Sequence, residues 1–444
     1  MTRSKAQPMA FGPGGPLVGA ASVPGDKSIS HRALMLAAMA VGRSRILGLS
    51  DGGDVLSTVA ALQAMGVRIA RRGDGWEVDG VGAGGLLQPR GALDMGNSGT
   101  STRLLMGLIA SHPVTATFIG DASLARRPMD RVIAPLRRIG ADIAAAPGGR
   151  LPLTLRGLSP AAPADFRLSV ASAQVKSALL LAGLNMPGVT RVIEPVPTRD
   201  HSERMLKAFG ADIEVAEGTE GTGGERIISL TGEAQLSPRD VHVPGDPSSA
   251  AFLIVAALIV PGSEVRIEGV GVNPMRAGLF RLLEAMGADL TFSNRRESGG
   301  EPVADLVARH SPLRAVDVPP ELVPAMIDEF PAFFIAAAFA KGTSRARGLA
   351  ELRVKESDRI AAMAEGLGAI GAAVEEEGDG LTLHGSGGAL PGGARIASRL
   401  DHRIAMSFAV AGLRCSEPVT VDDMTPVSTS FPGFAAALSG LHAS

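Results

Sequence analysis

The sequence predicts an α/β protein of two similar domains, each built from three β-α-β-α-β-β copies. An apolar, Ala- and Leu-rich helical run recurs six times, and the turns that follow these runs lie 71 to 80 residues apart. The tetrapeptide Val-Pro-Gly-Asp occurs twice, at Val23 to Asp26 and at Val243 to Asp246, where it opens copies one and four. Because solenoid repeats are shorter than this, each copy is predicted to be a supersecondary module of its own.

The first helix of each copy is predicted from a run of small apolar residues behind a short strand. Continuous apolar character is typical of a helix that is buried on all sides. The six predicted runs are Ile29–Val41, Thr102–Ser111, Val175–Asn185, Ala250–Val260, Phe333–Ala340 and Ile404–Leu413. The turns after them contain Gly42, Pro113, Gly188, Gly262, Gly342 and Pro418.

The second helix of each copy is amphipathic and ends at a glycine, which is a frequent helix C-terminal residue. These glycines are Gly66, Gly140, Gly210, Gly287, Gly371 and Gly440. After five of them a small residue and a strand follow, and turns such as Gly73-Asp74-Gly75 predict a closing hairpin. The sixth copy reaches the end of the sequence instead.

The repeated Val-Pro-Gly-Asp segments predict the domain limits. We expect one domain over 27–240 and a second over 1–26 and 241–444, with the chain crossing between them near 24–26 and 241–246. The apolar run Leu17 to Val23 is predicted to be a strand. About the first sixteen residues, rich in Pro and Gly, are predicted to be a loose arm rather than a signal peptide.

Composition argues against several classes of function. The net charge of −2 gives no basic field for nucleic acid or anionic membranes, and 3% aromatic content leaves few base-stacking platforms. No apolar run is long enough to span a bilayer. The single cysteine, Cys415, excludes a disulfide framework within the chain and is predicted to be structural. We therefore expect a cytoplasmic protein without membrane or nucleic-acid partners.

Polar clusters precede the helices. Those before the first helices contain Lys27, Ser28 and Arg32; Asn97 to Ser101 with Arg103; Ser172 to Gln174 with Lys176; Asp246 to Ser249; Asp328 and Glu329; and Asp401 to Arg403. The second helices add Arg126 and Arg127, Thr198 to His201, and Lys355 to Arg359. Helix capping explains Ser, Thr, Asn and Asp at such positions, but the helix dipole disfavours Lys and Arg there.

These cations predict an anionic ligand, since arginine binds carboxylates and phosphates best. A cleft between the two domains is where the basic residues of several copies are expected to act together. Asp328 and Glu356 are then carboxylates in a basic pocket, which suits proton transfer. His31, His201 and His402 share no metal-ligand spacing, so no metal is expected.

With these residues in view, nearly the whole chain resembles the EPSP synthase (3-phosphoshikimate 1-carboxyvinyltransferase) family. The motifs that carry the resemblance are Pro-Gly-Asp-Lys-Ser-Ile-Ser-His-Arg from Pro24, Gly-Asn-Ser-Gly-Thr-Ser-Thr-Arg from Gly96, Arg-Arg-Pro-Met from Arg126, Ser-Ala-Gln-Val-Lys-Ser-Ala from Ser172, Met-Ile-Asp-Glu-Phe-Pro from Met326, Val-Lys-Glu-Ser-Asp-Arg from Val354 and Asp-His-Arg-Ile-Ala-Met from Asp401. The resemblance implies an inside-out α/β barrel fold with pseudo-threefold symmetry in each domain.

The resemblance further implies the reaction of shikimate 3-phosphate with phosphoenolpyruvate through a tetrahedral intermediate, without a cofactor, in a monomer. It implies that shikimate 3-phosphate is bound by Lys27, Ser28, Arg32, Ser172, Ala173, Gln174, Arg199, Asp328 and Lys355. It implies that phosphoenolpyruvate is bound by Lys27, Asn97, Gly99, Arg127, Gln174, Arg359 and Arg403, with Arg103 shaping the phosphate loop. The implied catalytic residues are Asp328, Glu356, Lys355 and Lys27.

Two positions depart from the common family pattern. Thr429 stands where many members have a lysine, and Ala173 stands where many have a second serine. With Thr198 to His201, these changes resemble the branch that includes glyphosate-tolerant bacterial enzymes. Gly99 nevertheless leaves room at the phosphate loop, so we expect glyphosate to inhibit.

Two alternatives compete with this interpretation. One is a UDP-N-acetylglucosamine enolpyruvyl transferase. The first motif of that family reads Gly-x-Lys-Asn, whereas Ser28 follows Lys27 here. That family also carries a cysteine in copy two, whereas Cys415 lies in copy six here. The other is a non-catalytic module that closes on a phosphorylated ligand. Such a module needs the basic residues but not Asp328 or Glu356.

Overall fold

A computed structural model describes residues 6–218 and 224–441 of the chain. Its helices are α1 Lys27–Met39, α2 Gly53–Ala64, α3 Gly99–Ala110, α4 Asp130–Arg138, α5 Ala173–Gly183, α6 His201–Ala208, α7 Pro247–Ile259, α8 Gly278–Ala285, α9 Val323–Met326, α10 Phe330–Phe339, α11 Arg359–Ala369, α12 His402–Gly412 and α13 Phe434–Ser439. Within the described ranges, no helix combines the length and apolar character that crossing a bilayer requires.

The strands are short. They are β1 Met9–Phe11, β2 Val18–Ala21, β3 Val41–Leu47, β4 Arg68–Arg72, β5 Gly75–Val81, β6 Leu93–Asp94, β7 Thr115–Ile119, β8 Asp142–Ala146, β9 Arg150–Arg156, β10 Asp165–Arg167, β11 Val189–Glu194, β12 Asp212–Glu217, β13 Arg226–Thr231, β14 Val241–His242, β15 Glu264–Gly271, β16 Asp289–Ser298, β17 Glu301–Arg309, β18 Lys341–Ala346, β19 Ala373–Glu377, β20 Gly380–Ser386, β21 Leu390–Gly392, β22 Arg395–Ile396, β23 Cys415–Glu417 and β24 Val419–Val421.

One sheet plan recurs along the chain. In copy two a short strand, β6, pairs in parallel with β7, which pairs antiparallel with β9 of the closing hairpin. The orders β14-β3-β5-β4, β10-β11-β13-β12 and β2-β15-β17-β16 repeat this plan in copies one, three and four. The repeated α/β module predicted from the sequence is therefore confirmed.

The first helices are buried on all sides, as their apolar composition predicts. Every residue of α7 and α10 is buried, and so are eleven residues of α1. The sheets cover these helices, and in strands such as β9 buried residues alternate with residues that are not buried. Each copy thus places a helix inside and a sheet outside.

The chain divides into two compact units. The N-terminal unit comprises Gly25–Val243 with Ser298–Glu301, and the C-terminal unit comprises the described residues of 1–24, 244–297 and 302–444. Each unit has its own hydrophobic core. The leading strands are exchanged: β14, which precedes copy four in sequence, pairs with β3 of copy one, whereas β2 pairs with β15 of copy four.

The N-terminal arm differs from its prediction. Residues 1–5 lie outside the described residues, but β1 pairs antiparallel with β24, with Met9 opposite Val421. In copy six, β1 and β22 flank β24 in one sheet. The arm is therefore in part a strand of this sheet, and the prediction of a loose arm was wrong at residues 9–11.

Helix boundaries also required correction. The six first helices begin two to three residues before their predicted starts. In α1, α3, α5, α7 and α12 the reason is that polar residues of the clusters lie within the first turn, whereas α10 begins with Phe330 and Pro331. Val41, predicted as the end of the first helix, begins β3 instead. The glycines after five second helices have positive φ, from +87° at Gly210 to +100° at Gly140, whereas Gly440 has φ −69°. Those five positions favour glycine because other residues are strained there.

Candidate active site

The first helices begin with capped polar turns. Asp26, Ser98 and Ser172 each accept a hydrogen bond from the backbone N–H three residues later, in α1, α3 and α5. Asp246 and Asp401 cap α7 and α12 through the N–H two residues later. The caps satisfy exposed helix N–H groups, as expected of these residue types. The cations beside the caps need a separate explanation.

Arg32 is buried and tied to hydroxyl groups of the third copy. Its Nε donates to Ser202 Oγ at 2.7 Å and its Nη2 donates to Ser177 Oγ at 2.6 Å. Its Nη1 donates to the carbonyl oxygen of Ser28 at 2.8 Å. Burial lowers the pKa of Arg32 to about 10, against the opposing effect of Asp26. A buried cation held by neutral hydroxyls is well suited to bind a carboxylate.

Lys27 is the first residue of α1 and is paired with a carboxylate that the sequence did not single out. Lys27 Nζ lies 2.9 Å from Asp54 Oδ2, and Asp54 is in the first turn of α2. This contact fixes the ammonium group at the helix N-terminus, where the dipole alone would repel it.

The second and third copies meet through Arg103 and Gln174. Arg103 Nη1 donates to Gln174 Oε1 at 2.9 Å, and Gln174 Nε2 donates to Thr100 Oγ1 at 3.0 Å. Ala173 is the first residue of α5, directly after its cap Ser172. The predicted site residues Arg103, Ser172, Ala173 and Gln174 therefore lie in or beside the contacting first turns of α3 and α5.

Arg127 and Gly99 lie together in copy two. Arg127 Nη2 donates to Asn97 Oδ1 and to Ser123 Oγ, and Asn97 Nδ2 donates to Asp121 Oδ2 at 2.6 Å. A Cβ atom added at Gly99 would stand 2.9 Å from Arg103 Nη1 and 3.2 Å from Arg127 Nη1. Glycine at this position leaves space between two guanidinium groups.

Arg199 is half-buried in the turn before α6. Its charge acts on Arg32, since Arg199 is among the groups that lower the pKa of that arginine. Two cations so placed favour an anionic ligand in the N-terminal unit.

The C-terminal unit brings Asp328, Lys355 and Arg359 together. Asp328 Oδ1 lies 3.2 Å from Lys355 Nζ and 3.7 Å from Arg359 Nη1. Lys355 follows a 3-10 turn over Ala350–Val354 rather than lying at a helix start. A partly exposed carboxylate between two cations can accept or relay a proton.

Arg359 is the most enclosed cation of this set. Its Nε donates to Asp401 Oδ2 at 2.8 Å, and its Nη2 donates to Glu356 Oε2 at 2.5 Å. Burial alone would lower the pKa of Arg359, but Asp401, Glu356 and Asp328 together raise it above its ordinary value. Burial would likewise raise the pKa of Asp401, yet Arg359 holds it below its usual range. Arg359 therefore stays charged despite its burial.

Arg403 lies in the first turn of α12 and joins copies four and five. Its Nη1 donates to the carbonyl oxygen of Asp328 at 2.7 Å, and its Nη2 donates to Ser248 Oγ at 3.0 Å. The same Nη1 lies 3.5 Å from Glu329 Oε1. Thr429, the departure from the family pattern, donates to the carbonyl oxygen of Pro426 at 2.7 Å.

Some residues that contact the predicted site residues were not identified from the sequence. Asp54 and Ser202 have no distinctive motif and are recognised only by their contacts, whereas Ser177 lies in the motif that begins at Ser172 but had no role assigned to it. Arg276 could have been found, because it precedes α8 as Arg127 and Arg199 precede α4 and α6. Within residues 6–218 and 224–441, no group of three or more His, Cys, Asp or Glu side chains is placed to hold a metal ion.

Comparison with known proteins gives one consistent family. Residues 12–438 match the family model described as EPSP synthase (3-phosphoshikimate 1-carboxyvinyltransferase). A 3-phosphoshikimate 1-carboxyvinyltransferase of Sphingopyxis alaskensis is 65% identical, with 100% of both chains covered. One of Novosphingobium aromaticivorans is 61% identical over 97% of this chain and 98% of its own.

Solved structures are similar over almost the full length. An EPSP synthase of Acinetobacter baumannii is 45% identical, with a TM-score of 0.85 and 98% of each chain covered. The enolpyruvyl transferase NikO of Streptomyces tendae is 21% identical, with a TM-score of 0.76 over 99% of this chain and 98% of its own. The second likeness concerns the fold alone.

Proposed function

The chain belongs to the EPSP synthase family, and from that membership we propose the role of each site residue. It is a 3-phosphoshikimate 1-carboxyvinyltransferase of aromatic amino-acid biosynthesis. The reaction transfers the enolpyruvyl group of phosphoenolpyruvate to the 5-hydroxyl of shikimate 3-phosphate and releases phosphate.

Shikimate 3-phosphate is assigned mainly to the N-terminal unit. Arg32 and Ser28 bind the ring carboxylate, which the burial of Arg32 and its hydroxyl partners support. Ser172, Ala173, Gln174 and Arg199 surround the 3-phosphate, at the start of α5 and before α6. The N–H groups of a helix N-terminus favour a phosphate at that place.

Phosphoenolpyruvate carries two anionic groups, which are assigned to different sets of residues. Its phosphate is bound by Lys27, Arg127 and the backbone at Gly99, with Asn97, Arg103 and Gln174 holding that loop. Its carboxylate is bound by Arg359 and Arg403. Both are buried arginines with several fixed donors, the geometry that suits bidentate carboxylate binding.

The proton transfers are assigned to the C-terminal unit. Asp328 binds the ring hydroxyls with Lys355 and takes the proton of the 5-hydroxyl as its oxygen bonds to C2 of phosphoenolpyruvate. C3 gains a proton, and this gives the tetrahedral intermediate. Loss of a proton from C3 and of phosphate from C2 then restores the double bond. Lys355 and Glu356 serve these transfers at C3, with Lys27 stabilising the phosphate as it leaves.

One observation carries this assignment: Asp328 Oδ1 lies 3.2 Å from Lys355 Nζ in a cluster with Arg359. The test is release of phosphate by the purified protein from shikimate 3-phosphate and phosphoenolpyruvate together. We expect release only when both substrates are present. No release, in an assay where a related EPSP synthase is active, would contradict the proposal.

We further propose that the enzyme acts in the cytoplasm as a monomer whose partners are its small-molecule substrates. The small net charge and the single buried cysteine support this proposal. Sedimentation velocity tests the oligomeric state, and a mass near twice 45.4 kDa would contradict it.

A further inference from the structure

A buried cluster of polar side chains surrounds Arg403 in the C-terminal unit. It consists of Arg276, Ser248, Glu329 and Arg403, with exposed fractions of 4%, 3%, 2% and 6%. Ser248 and Arg276 come from copy four, Glu329 from copy five and Arg403 from copy six. The proposed function needs Arg403 to meet an anion, but it says nothing of the second buried arginine.

The hydroxyl group of Ser248 links the whole cluster. Ser248 Oγ donates to Glu329 Oε1 and accepts hydrogen bonds from Arg276 Nη2 and from Arg403 Nη2. A hydroxyl has one donor and two acceptor positions, so these partners use all of them. The orientation of this hydroxyl is therefore fixed, and with it the position of Arg403 Nη2.

Glu329 is shared unequally between the two arginines. Its Oε2 lies 2.6 Å from Arg276 Nη1, whereas its Oε1 lies 3.5 Å from Arg403 Nη1. Arg276 also lies 3.5 Å from Asp246 Oδ1, so it is the cation closer to the carboxylates of the cluster. A carboxylate neutralises best the guanidinium group that it meets at short distance.

We propose that Arg276 is a positioning residue that holds Glu329 and thereby keeps Arg403 available for the carboxylate of phosphoenolpyruvate. This inference rests on the proposed function. Without Arg276, Glu329 is a buried carboxylate whose nearest remaining guanidinium is Arg403. It then draws that group from 3.5 Å into a close ion pair, because an unpaired buried charge is strongly unfavourable. Arg403 is then turned away from the substrate and neutralised.

The test is a double-mutant cycle of Arg276→Gln and Glu329→Gln in the full-length enzyme, with KM measured for each substrate. Arg276→Gln should raise KM for phosphoenolpyruvate about tenfold, the loss expected for one weakened charged hydrogen bond. KM for shikimate 3-phosphate should change by less than about twofold. In the double variant the carboxylate that captures Arg403 is absent, so KM for phosphoenolpyruvate should return to near that of the Glu329→Gln enzyme.

Two controls separate positioning from stability. Arg276→Lys keeps a cation on Glu329 and should stay within about threefold of the native KM for phosphoenolpyruvate. Arg309→Gln removes an exposed arginine of the same unit, paired with Glu264 at 2.9 Å, and should change neither KM. Melting temperatures are recorded for every variant.

The proposal is overturned if Arg276→Gln lowers kcat with both KM values unchanged, since that is the pattern of lost folded enzyme. It is also overturned if adding Arg276→Gln to the Glu329→Gln enzyme raises KM for phosphoenolpyruvate tenfold. This comparison holds even if the Arg276→Gln variant alone does not fold. If the native enzyme releases no phosphate, both the proposed function and this inference are overturned. If the native enzyme is active but the variants have the native KM for phosphoenolpyruvate, only the inference is overturned.

Discussion

Lys355 Nζ lies 3.2 Å from Asp328 Oδ1, within the C-terminal unit. The residues are 27 positions apart in sequence and come from the polar turns before α10 and α11. An ammonium group beside a carboxylate lets one site both accept and donate protons. Variants of this pair therefore test the proposal that the site performs chemistry rather than only binding anions.

Asp328→Asn should abolish most turnover, because the amide cannot accept the proton of the 5-hydroxyl. We expect kcat to fall at least about a hundredfold, the usual contribution of a general base. Binding of shikimate 3-phosphate, measured by calorimetry, should persist. Asp317→Asn is the matched control, since Asp317 is exposed and pairs with Arg345 at 3.5 Å. Turnover at the native rate in the Asp328 variant would remove this residue from its proposed role.

Gly99→Ala should impair phosphoenolpyruvate binding without affecting shikimate 3-phosphate. The new Cβ would meet Arg103 Nη1 at 2.9 Å and Arg127 Nη1 at 3.2 Å, so one guanidinium group must shift. We expect KM for phosphoenolpyruvate to rise about tenfold, as for one weakened charged hydrogen bond.

The same substitution tests the expected inhibition by glyphosate. The native enzyme should be inhibited, and the Gly99→Ala enzyme should be inhibited less, because the methyl group fills space beside the phosphate loop. Gly368→Ala is the control, since a Cβ there meets nothing within 4 Å. Weak and equal inhibition of the native and Gly99→Ala enzymes would contradict the expectation.

Lys176→Met should destabilise the N-terminal unit. Lys176 is fully buried, and its Nζ lies 2.9 Å from Glu194 Oε2 and 2.8 Å from Glu203 Oε1. Removing the ammonium group leaves two buried carboxylates without their cationic partner, which should lower the free energy of unfolding by about 3 to 5 kcal/mol. Denaturant unfolding measures the loss, and Lys207→Met, at an exposed position, is the control.

The pH dependence of this loss has a definite sign. Burial already raises the pKa of Glu194, and Lys176 opposes that effect. Without Lys176 the pKa of Glu194 rises further, so the folded variant binds a proton that the unfolded chain has released. Its destabilisation should therefore be larger near about pH 8 than near about pH 5. A loss that is independent of pH would count against Lys176 as the partner of these carboxylates.

His31→Gln should reduce the sensitivity of the N-terminal unit to acid. Burial holds the pKa of His31 well below its ordinary value, and Lys27 and Arg32 lower it further. As the pH falls below about 6.5, His31 binds a proton in the unfolded chain but not in the folded chain. The free energy of unfolding therefore falls by up to about 1.4 kcal/mol per pH unit. The stability present above that pH is thus lost on acidification.

Unfolding of the native and His31→Gln proteins between about pH 5 and about pH 7 checks this expectation. The variant should show a shallower decline, and some slope should remain because burial also lowers the pKa of His112. Parallel slopes in the native and His31 proteins would refute the assignment.

Much of the fold was accessible from sequence because its signals are local. Apolar runs and terminal glycines identified the first helices and five helix ends with positive φ. The start of α1 was placed too late, because the polar residues Lys27 and Ser28 lie within its first turn. The partner strands of β2 and β14 were inaccessible, since each pairs with a strand more than 190 residues away.

The site was accessible where a residue type conflicted with its location. Arg359 and Arg403 stood out because cations are unfavourable at helix starts. Ser177 and Ser202 did not, because hydroxyl groups in helices have many ordinary explanations, and only their contacts with Arg32 reveal them. Arg276 has the same position before a second helix as Arg127 and Arg199, but its partner Glu329 lies in another copy, so the pairing is visible only in the structure.

The pairing of β1 with β24 has a consequence for biosynthesis on the ribosome. Met9 lies opposite Val421, so β1 emerges more than 400 residues before its partner exists. At translation rates of about 5 to 20 residues per second, the wait is about 20 to 80 s. The N-terminal unit, almost all of it contiguous in sequence, can fold during that interval, whereas copy six cannot complete its sheet until β24 has been synthesised. Because β1 has only three residues, its unpaired edge is short, and this limits aggregation with other nascent chains before β24 is made.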